Sequence, residues 1–269
     1  MRFTILAAVM LMGFFQFFAP KQEDFLADNT CFTKIATSET TLKTRFIPPH
    51  GFERNAIQGS YHDFLINLPL KTFGSKVLTY NGLEKPMDGV YCSVIDMDLD
   101  PVNLQQCADA VMRLKGEYLH QTGDYHKIHF NYLSDGKPHY FLDYSKGDTS
   151  YKGFRKYMKN VFNRANTRSL KNELVPVSDK NDIRTGDVFI VAGNPYGHAI
   201  LVIDVVENKE GKKLFLLAQS YMPAQDTQIL INPNCSNNSP WYNLETPALE
   251  TPEWNFNWSD LQRFPEEKA

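Results

Sequence analysis

The last third of the chain is patterned in short apolar, β-branched stretches: Asp187 to Ala192, His198 to Val206 and Leu214 to Tyr221. Gly193-Asn194-Pro195-Tyr196-Gly197 and Glu207-Asn208-Lys209-Glu210-Gly211 separate them, so the pattern predicts a three-stranded antiparallel meander with hairpin loops. Upstream the period changes. Leu104, Ala108, Val111, Leu114 and Tyr118 recur at three and four residues and predict a helix over 104–119, with Asp100-Pro101 just ahead of it. Phe154, Tyr157, Met158, Val161 and Phe162 predict a second helix over 153–174. It is basic, through Lys152, Arg155, Lys156, Lys159, Arg164, Arg168 and Lys171, which reads as a solvated face rather than an anionic-ligand groove. Between the helices Lys127 to Leu133 alternates as a strand, with Tyr140 to Tyr144 as its partner. Earlier still, Ser60 caps a short helix Tyr61 to Asn67 closed by Pro69, and Val77 to Tyr80 and Val90 to Met97 read as strands.

The ends of the chain differ from its body. Residues 3–18 are an apolar run behind Arg2, shorter than the roughly 20 residues of a spanning helix. Residues 1–27 are therefore read as a signal peptide or, since Phe17-Phe18-Ala19-Pro20 suits cleavage poorly, a retained membrane anchor. Either reading places the body in the periplasm or outside the cell, with contact to membrane only through an uncleaved leader. Residues 28–58 are polar and read as an irregular surface approach, followed by one α+β domain over 59–269. From about residue 232 a tail carries Pro233, Pro240, Pro247, Pro252 and all three tryptophans. Trp241, Trp254 and Trp258 are expected to anchor it around the body, because indole is costly to leave in water; an exposed platform for sugar is the alternative.

Composition removes several function classes. Across 269 residues, 28 Lys and Arg against 31 Asp and Glu give a net charge of −3, so no broad basic field invites nucleic acid. The chain has no GxxxxGKS/T loop, no GxGxxG and no GxSxG elbow, so nucleotide chemistry lacks its phosphate cradle and serine hydrolysis its usual turn. His126 and His129 would fall on opposite faces of a strand, so with His120 they do not converge as a zinc site. Asp96, Asp98 and Asp100 read as the solvated face of an edge strand before they read as a calcium site. Neither metal nor cofactor is expected.

Of four cysteines, Cys31, Cys92, Cys107 and Cys235, an oxidising compartment could bridge any, and the sequence leaves the pairing open. Cys107 stands apart because it falls in the first turn of the 104–119 helix, where the helix dipole favours a thiolate. Covalent attack on an amide also needs a base and a group that orients it. His198 opens the second strand of the meander. Gln219 and Ser220 interrupt the third, where a hairpin brings it beside His198. A cysteine helix followed by three antiparallel strands with histidine on the second is the order of papain-like cysteine hydrolases.

The elements Gln106-Cys107, Gly186-Asp187-Val188-Phe189-Ile190, Gly197-His198-Ala199-Ile200-Leu201-Val202 and Ala218-Gln219-Ser220-Tyr221 resemble the corresponding helix and strands of CHAP and NlpC-type amidases, which cut peptidoglycan peptides. Over nearly its whole length, through Leu68-Pro69-Leu70, Leu104-Gln105-Gln106-Cys107-Ala108-Asp109, Gly186-Asp187 and Gln219-Ser220-Tyr221-Met222-Pro223-Ala224-Gln225-Asp226, the chain is similar to the family called domain of unknown function 4846, which implies no activity. The amidase resemblance implies a papain-like body, a helix packed on an antiparallel sheet with accessory β structure before residue 100. It makes Cys107 the nucleophile and His198 the base, with Gln106 and the Cys107 N–H as oxyanion candidates. Many such enzymes carry an acidic residue or asparagine on the third strand; Gln219, or secondarily Ser220, takes that place here. Gly186-Asp187 is read as a turn into a strand, without a catalytic part. The expected function is a secreted or periplasmic cysteine hydrolase of amide bonds, acting on cell-wall peptide or another extracytoplasmic amide. The rival is a catalytically silent wall- or glycan-binding protein on the same fold.

Overall fold

The computed structural model describes Cys31, residues 35–87 and residues 89–265, so the leader expected at 1–27 lies outside the described residues. In chain order come α1 (Leu42–Arg45), β1 (Phe52–Glu53), α2 (Tyr61–Ile66), β2 (Tyr91–Val94), α3 (Cys107–Gln121), β3 (His129–Asn131), β4 (Pro138–Tyr140), α4 (Phe141–Ser145), α5 (Tyr151–Arg164) and α6 (Thr167–Glu173). Then follow β5 (Val175–Pro176), β6 (Val188–Val191), β7 (His198–Asn208), β8 (Lys213–Gln219) and β9 (Gln228–Leu230). The tail adds β10 (Tyr242–Asn243), β11 (Leu249–Glu250), β12 (Asn255–Phe256) and β13 (Leu261–Arg263).

The fold is α+β, organised on a nine-stranded sheet in the order β2-β9-β8-β7-β6-β13-β5, with β1 added to β7 and β10 to β8. Every pairing in it is antiparallel. The meander predicted from the apolar stretches is its centre, β6-β7-β8. Alternation along those strands sends side chains to two cores, as a pleat requires. Ala199, Leu201 and Ile203 of β7 join Val111 and Met112 of α3 and Phe154 and Met158 of α5 in the larger core. Ile200 and Val202 join Phe189, Phe215, Leu217 and the tail residues Tyr242, Leu249, Phe256 and Leu261 in the other. Helices thus cover one face of the sheet and the tail covers the other.

Several elements depart from the sequence pattern, each for a local reason. The helix expected from Leu104 starts at Cys107, because the Asp109 carboxylate accepts the Gln106 N–H at 3.0 Å and fixes Gln106 as the N-cap. The helix expected over 153–174 is two, since Asn166 is extended and its side chain caps α6 through the Arg168 and Ser169 N–H groups. Tyr140 to Tyr144 is not a strand beyond Tyr140. Phe141 turns into the core and opens α4, which Lys146 ends in a left-handed conformation at φ 55°. Of the two strands expected over 77–80 and 90–97, the first is reduced to the isolated bridges Leu78 to Glu84 and Thr79 to Gln225, and the second to β2.

The stretch read as an irregular approach also differs. Leu42 and Phe46 are fully buried, and the buried Arg45 guanidinium donates to the carbonyls of Glu39 and Lys71. Apolar residues there are too sparse to reveal a period, yet they complete the core. The tail supplies sheet strands as well as a cover: β13 lies between β6 and β5. Trp241 is buried, and Trp258 is half-buried with its N–H on the Thr246 carbonyl at 2.9 Å, so indoles act as anchors. Cys31 and Cys235 are joined by a disulfide across 204 residues, while Cys92 and Cys107 are free thiols.

Candidate active site

The Gly193–Gly197 loop delivers His198 to the end of the sheet. Val191 and His198 are opposite each other where β6 turns into β7, and the return is tight. A Cβ on Gly197 would stand 2.3 Å from the Val191 carbonyl oxygen and 2.9 Å from the Gly193 nitrogen, both backbone atoms. Only glycine closes the hairpin there. Gly197→Ala is therefore expected to cost about 2–4 kcal/mol, the range of strongly disruptive single substitutions. The measurement is the urea midpoint; an unchanged midpoint would show that the loop accommodates a methyl group.

His198 is buried among aromatic rings. Tyr221, Trp254 and Phe256 lie with centroids 5.0, 5.4 and 6.0 Å from the imidazole. Its Nε2 meets Gln219 Oε1 at 2.9 Å. Burial lowers the imidazole pKa to about 4 against the opposing effect of that hydrogen bond, so the ring is neutral at neutral pH. The contact continues outward: Gln219 Nε2 donates to Glu253 Oε2 at 2.5 Å, and Lys85 Nζ donates to the same oxygen at 2.6 Å. Ser220, the secondary candidate, does not join this chain. Its hydroxyl meets the Gln225 carbonyl at 2.8 Å and ties the end of β8 to the following turn.

Cys107 is the first residue of α3. Burial raises the thiol pKa, and the nearby Asp109 carboxyl adds to the rise, while the surrounding polar groups of Ala199, Ala108 and Thr167 oppose it. The first effect wins, so the resting group is a thiol. Asp109 is buried too, with Oδ2 on the Gln106 N–H and Oδ1 without a partner. Burial raises its pKa to about 8, against the opposing effect of that hydrogen bond.

A cavity of about 160 Å³ opens at this helix start, lined among others by Gln106, Cys107, Asp109, Phe162, Asn166 and Thr167. Gln106, the oxyanion candidate, lies on that wall with its side-chain amide donating to Asn103 Oδ1 at 3.3 Å. The His198 ring does not line the cavity. Among the hydrogen bonds of the described residues none joins Cys107 to His198; the imidazole bonds to Gln219 instead. Tyr221, which packs on the imidazole, has its phenol pKa raised chiefly by burial, with smaller contributions from Glu253 and Cys107.

A family model described as domain of unknown function 4846 matches residues 42–263. The chain belongs to that family. No curated protein and no solved structure matches it. The span matched by domain of unknown function 4846 contains Cys107, His198, Gln219, Glu253 and Lys85, and leaves Cys31 outside. Within it, sequence patterns had not singled out Lys85, Asp109, Thr167 or Glu253. Glu253 stands in Pro252-Glu253-Trp254 of the tail, where nothing in spacing ties it to β8.

Elsewhere, a cavity of about 450 Å³ is lined by Tyr132, Tyr140, Asp143, Tyr144, Asn160 and Arg164 among others, and holds none of the nominated residues. Among the described residues no cluster of three His, Cys, Asp or Glu could hold a metal, and no helix is long and apolar enough to cross a membrane. Asp98 instead pairs with Arg113 and Arg155, and Asp100 with Arg155. Asp187 pairs with Arg263 at 2.6 Å, tying β6 to the tail.

Proposed function

We propose that the chain is a cysteine hydrolase of amide bonds built on the papain-like plan, with peptidoglycan peptide as its first-choice substrate. One observation carries the reading. A free thiol begins a 15-residue helix at the wall of a cavity, in a fold that also holds a buried histidine hydrogen-bonded to glutamine. The Cys31–Cys235 disulfide supports an oxidising, extracytoplasmic compartment for it.

Both partners are neutral at rest, so proton transfer must accompany attack. The imidazole takes the thiol proton as sulfur bonds to the carbonyl carbon, and the carbonyl electrons become an oxyanion near the Cys107 N–H and the Gln106 amide. Collapse breaks the C–N bond, and the imidazolium returns its proton to the departing amine. Water then attacks the thioester, losing a proton to the imidazole, and the carboxylic product leaves with the thiol restored. The sign of the pH dependence follows. The base works only when unprotonated, so kcat/KM should rise as pH increases through about 4 and then stay level through neutrality. Incubating purified wall fragments with the protein between pH 3 and 8, with mass analysis of released peptides, tests both claims. Release of new peptide ends with that profile is expected; no release at any pH would end the hydrolase reading.

One observation favours the rival, a silent glycan-binding protein. Tyr140 and Tyr144 are exposed on the larger cavity beside Asp143, Asn160 and Arg164, a mixture of aromatic faces and planar polar groups suited to a sugar. The tryptophan tail does not offer such a platform, because Trp241 is buried and Trp254 and Trp258 are half-buried against the sheet. Wall fragments bound without cleavage would select this second reading.

A further inference from the structure

The structure assigns Glu253 and Lys85 as positioning residues that select which nitrogen of His198 acts as the base, through the amide of Gln219. The assignment rests on the hydrolase reading for its consequence, though its geometry stands alone. Four polar side chains from four separate segments form one chain of hydrogen bonds. Lys85 Nζ to Glu253 Oε2 spans 2.6 Å, Gln219 Nε2 to Glu253 Oε2 spans 2.5 Å, and His198 Nε2 to Gln219 Oε1 spans 2.9 Å. All four are buried, with the Lys85 and Glu253 side chains at 4% and 6% exposure.

The logic runs inward from the ion pair. A carboxylate only accepts hydrogen bonds, and Lys85 Nζ donates to the same Glu253 oxygen. Gln219 must therefore turn its NH2 group toward Glu253, which leaves its carbonyl oxygen facing the imidazole. An amide oxygen also only accepts, so His198 must carry its hydrogen on Nε2. Nδ1 is left as the lone-pair nitrogen, the one free to receive a thiol proton. Without the carboxylate, the Gln219 amide could rotate by half a turn at little cost, present its NH2 to the ring and stabilise the opposite tautomer. The wrong tautomer cannot take the proton at Nδ1. Lys85 also lies 5.2 Å from the centre of the Tyr221 ring that packs on His198, so it braces the ring's cover as well.

The test compares wild type, Glu253→Gln, Lys85→Met and Lys85→Arg by two readouts. Nitrogen NMR of the imidazole reports the tautomer whether or not the protein turns over. Steady-state release of peptide from wall fragments reports kcat and KM. Wild type should show hydrogen on Nε2 alone. Glu253→Gln should show both tautomers and a kcat lower by roughly 100-fold, the scale of a lost general base, with KM little changed. Lys85→Met should move both readouts the same way and Lys85→Arg should restore them, which keeps the test decisive even if Glu253→Gln does not fold. A ring that keeps hydrogen on Nε2 in both Glu253→Gln and Lys85→Met would overturn the assignment while leaving the hydrolase reading intact. The expected NMR changes in a wild type that releases no peptide would uphold the assignment and remove the hydrolase reading instead.

Discussion

On the proposed reading, Cys107→Ala is expected to abolish amide cleavage, with turnover falling by at least about 10⁴-fold, because no other group at the helix start can form the covalent intermediate. The fold should survive. Cys107 is only partly exposed, and removing one sulfur atom from the wall of a cavity costs on the order of 1 kcal/mol. Activity and stability therefore separate in this variant. The other free thiol, Cys92, is a control: burial pushes its pKa up to about 12, it sits on β2 and its sulfur meets the Ile229 carbonyl at 3.7 Å. Cys92→Ala should leave turnover near wild type. Matched loss of turnover in the two variants, with both folded, would remove Cys107 from its role.

The largest stability effect is expected from the disulfide. Cys31 and Cys235 close 204 residues of chain, and the chain-entropy account gives about 5 kcal/mol for a loop of that size. Cys235 is buried, in a turn where its N–H meets the Asn232 carbonyl at 3.1 Å. Cys235→Ser should thus lower the urea midpoint by an amount close to that for Cys31→Ser. The double variant should lose no more than either single one, since one bond is removed in all three. Additive losses would mean that the two side chains stabilise the fold separately and that no bridge forms.

What could be read in the sequence was local or periodic. The β6-β7-β8 meander showed in alternation bounded by Gly, Pro and Asn, and Gln219 showed because a polar residue ending an apolar strand breaks the pattern. Ser60 as cap of α2 was legible for the same kind of reason, a hydroxyl just ahead of an apolar run, and it accepts the Asp63 N–H at 3.1 Å. The start of α3 was misplaced by three residues because apolar spacing continues back to Leu104, whereas the end is set by one carboxylate returning to one N–H. Tyr140 to Tyr144 was misread because five residues are too few for period two and period 3.6 to be told apart, and burial of Phe141 decided for helix.

The site was legible in outline only. Of Cys107, His198 and Gln219, nominated by their order along the chain, the structure joins the last two directly. Thr167 on the cavity wall beside Cys107 could not be seen in advance, because Asn166 breaks a basic helix that the pattern continues. Lys85 and Glu253 were equally hidden, since 168 residues separate two charges that neutralise each other under the tail.

The central claim is that Cys107 attacks with the help of His198. It is tested most directly by intact-mass analysis after rapid mixing with an activated acyl ester. The account predicts one acyl group per chain, mapped to Cys107, formed rapidly in wild type and at least about 100-fold more slowly in His198→Ala. Acylation at equal rates in both proteins, or at Cys92, would contradict it.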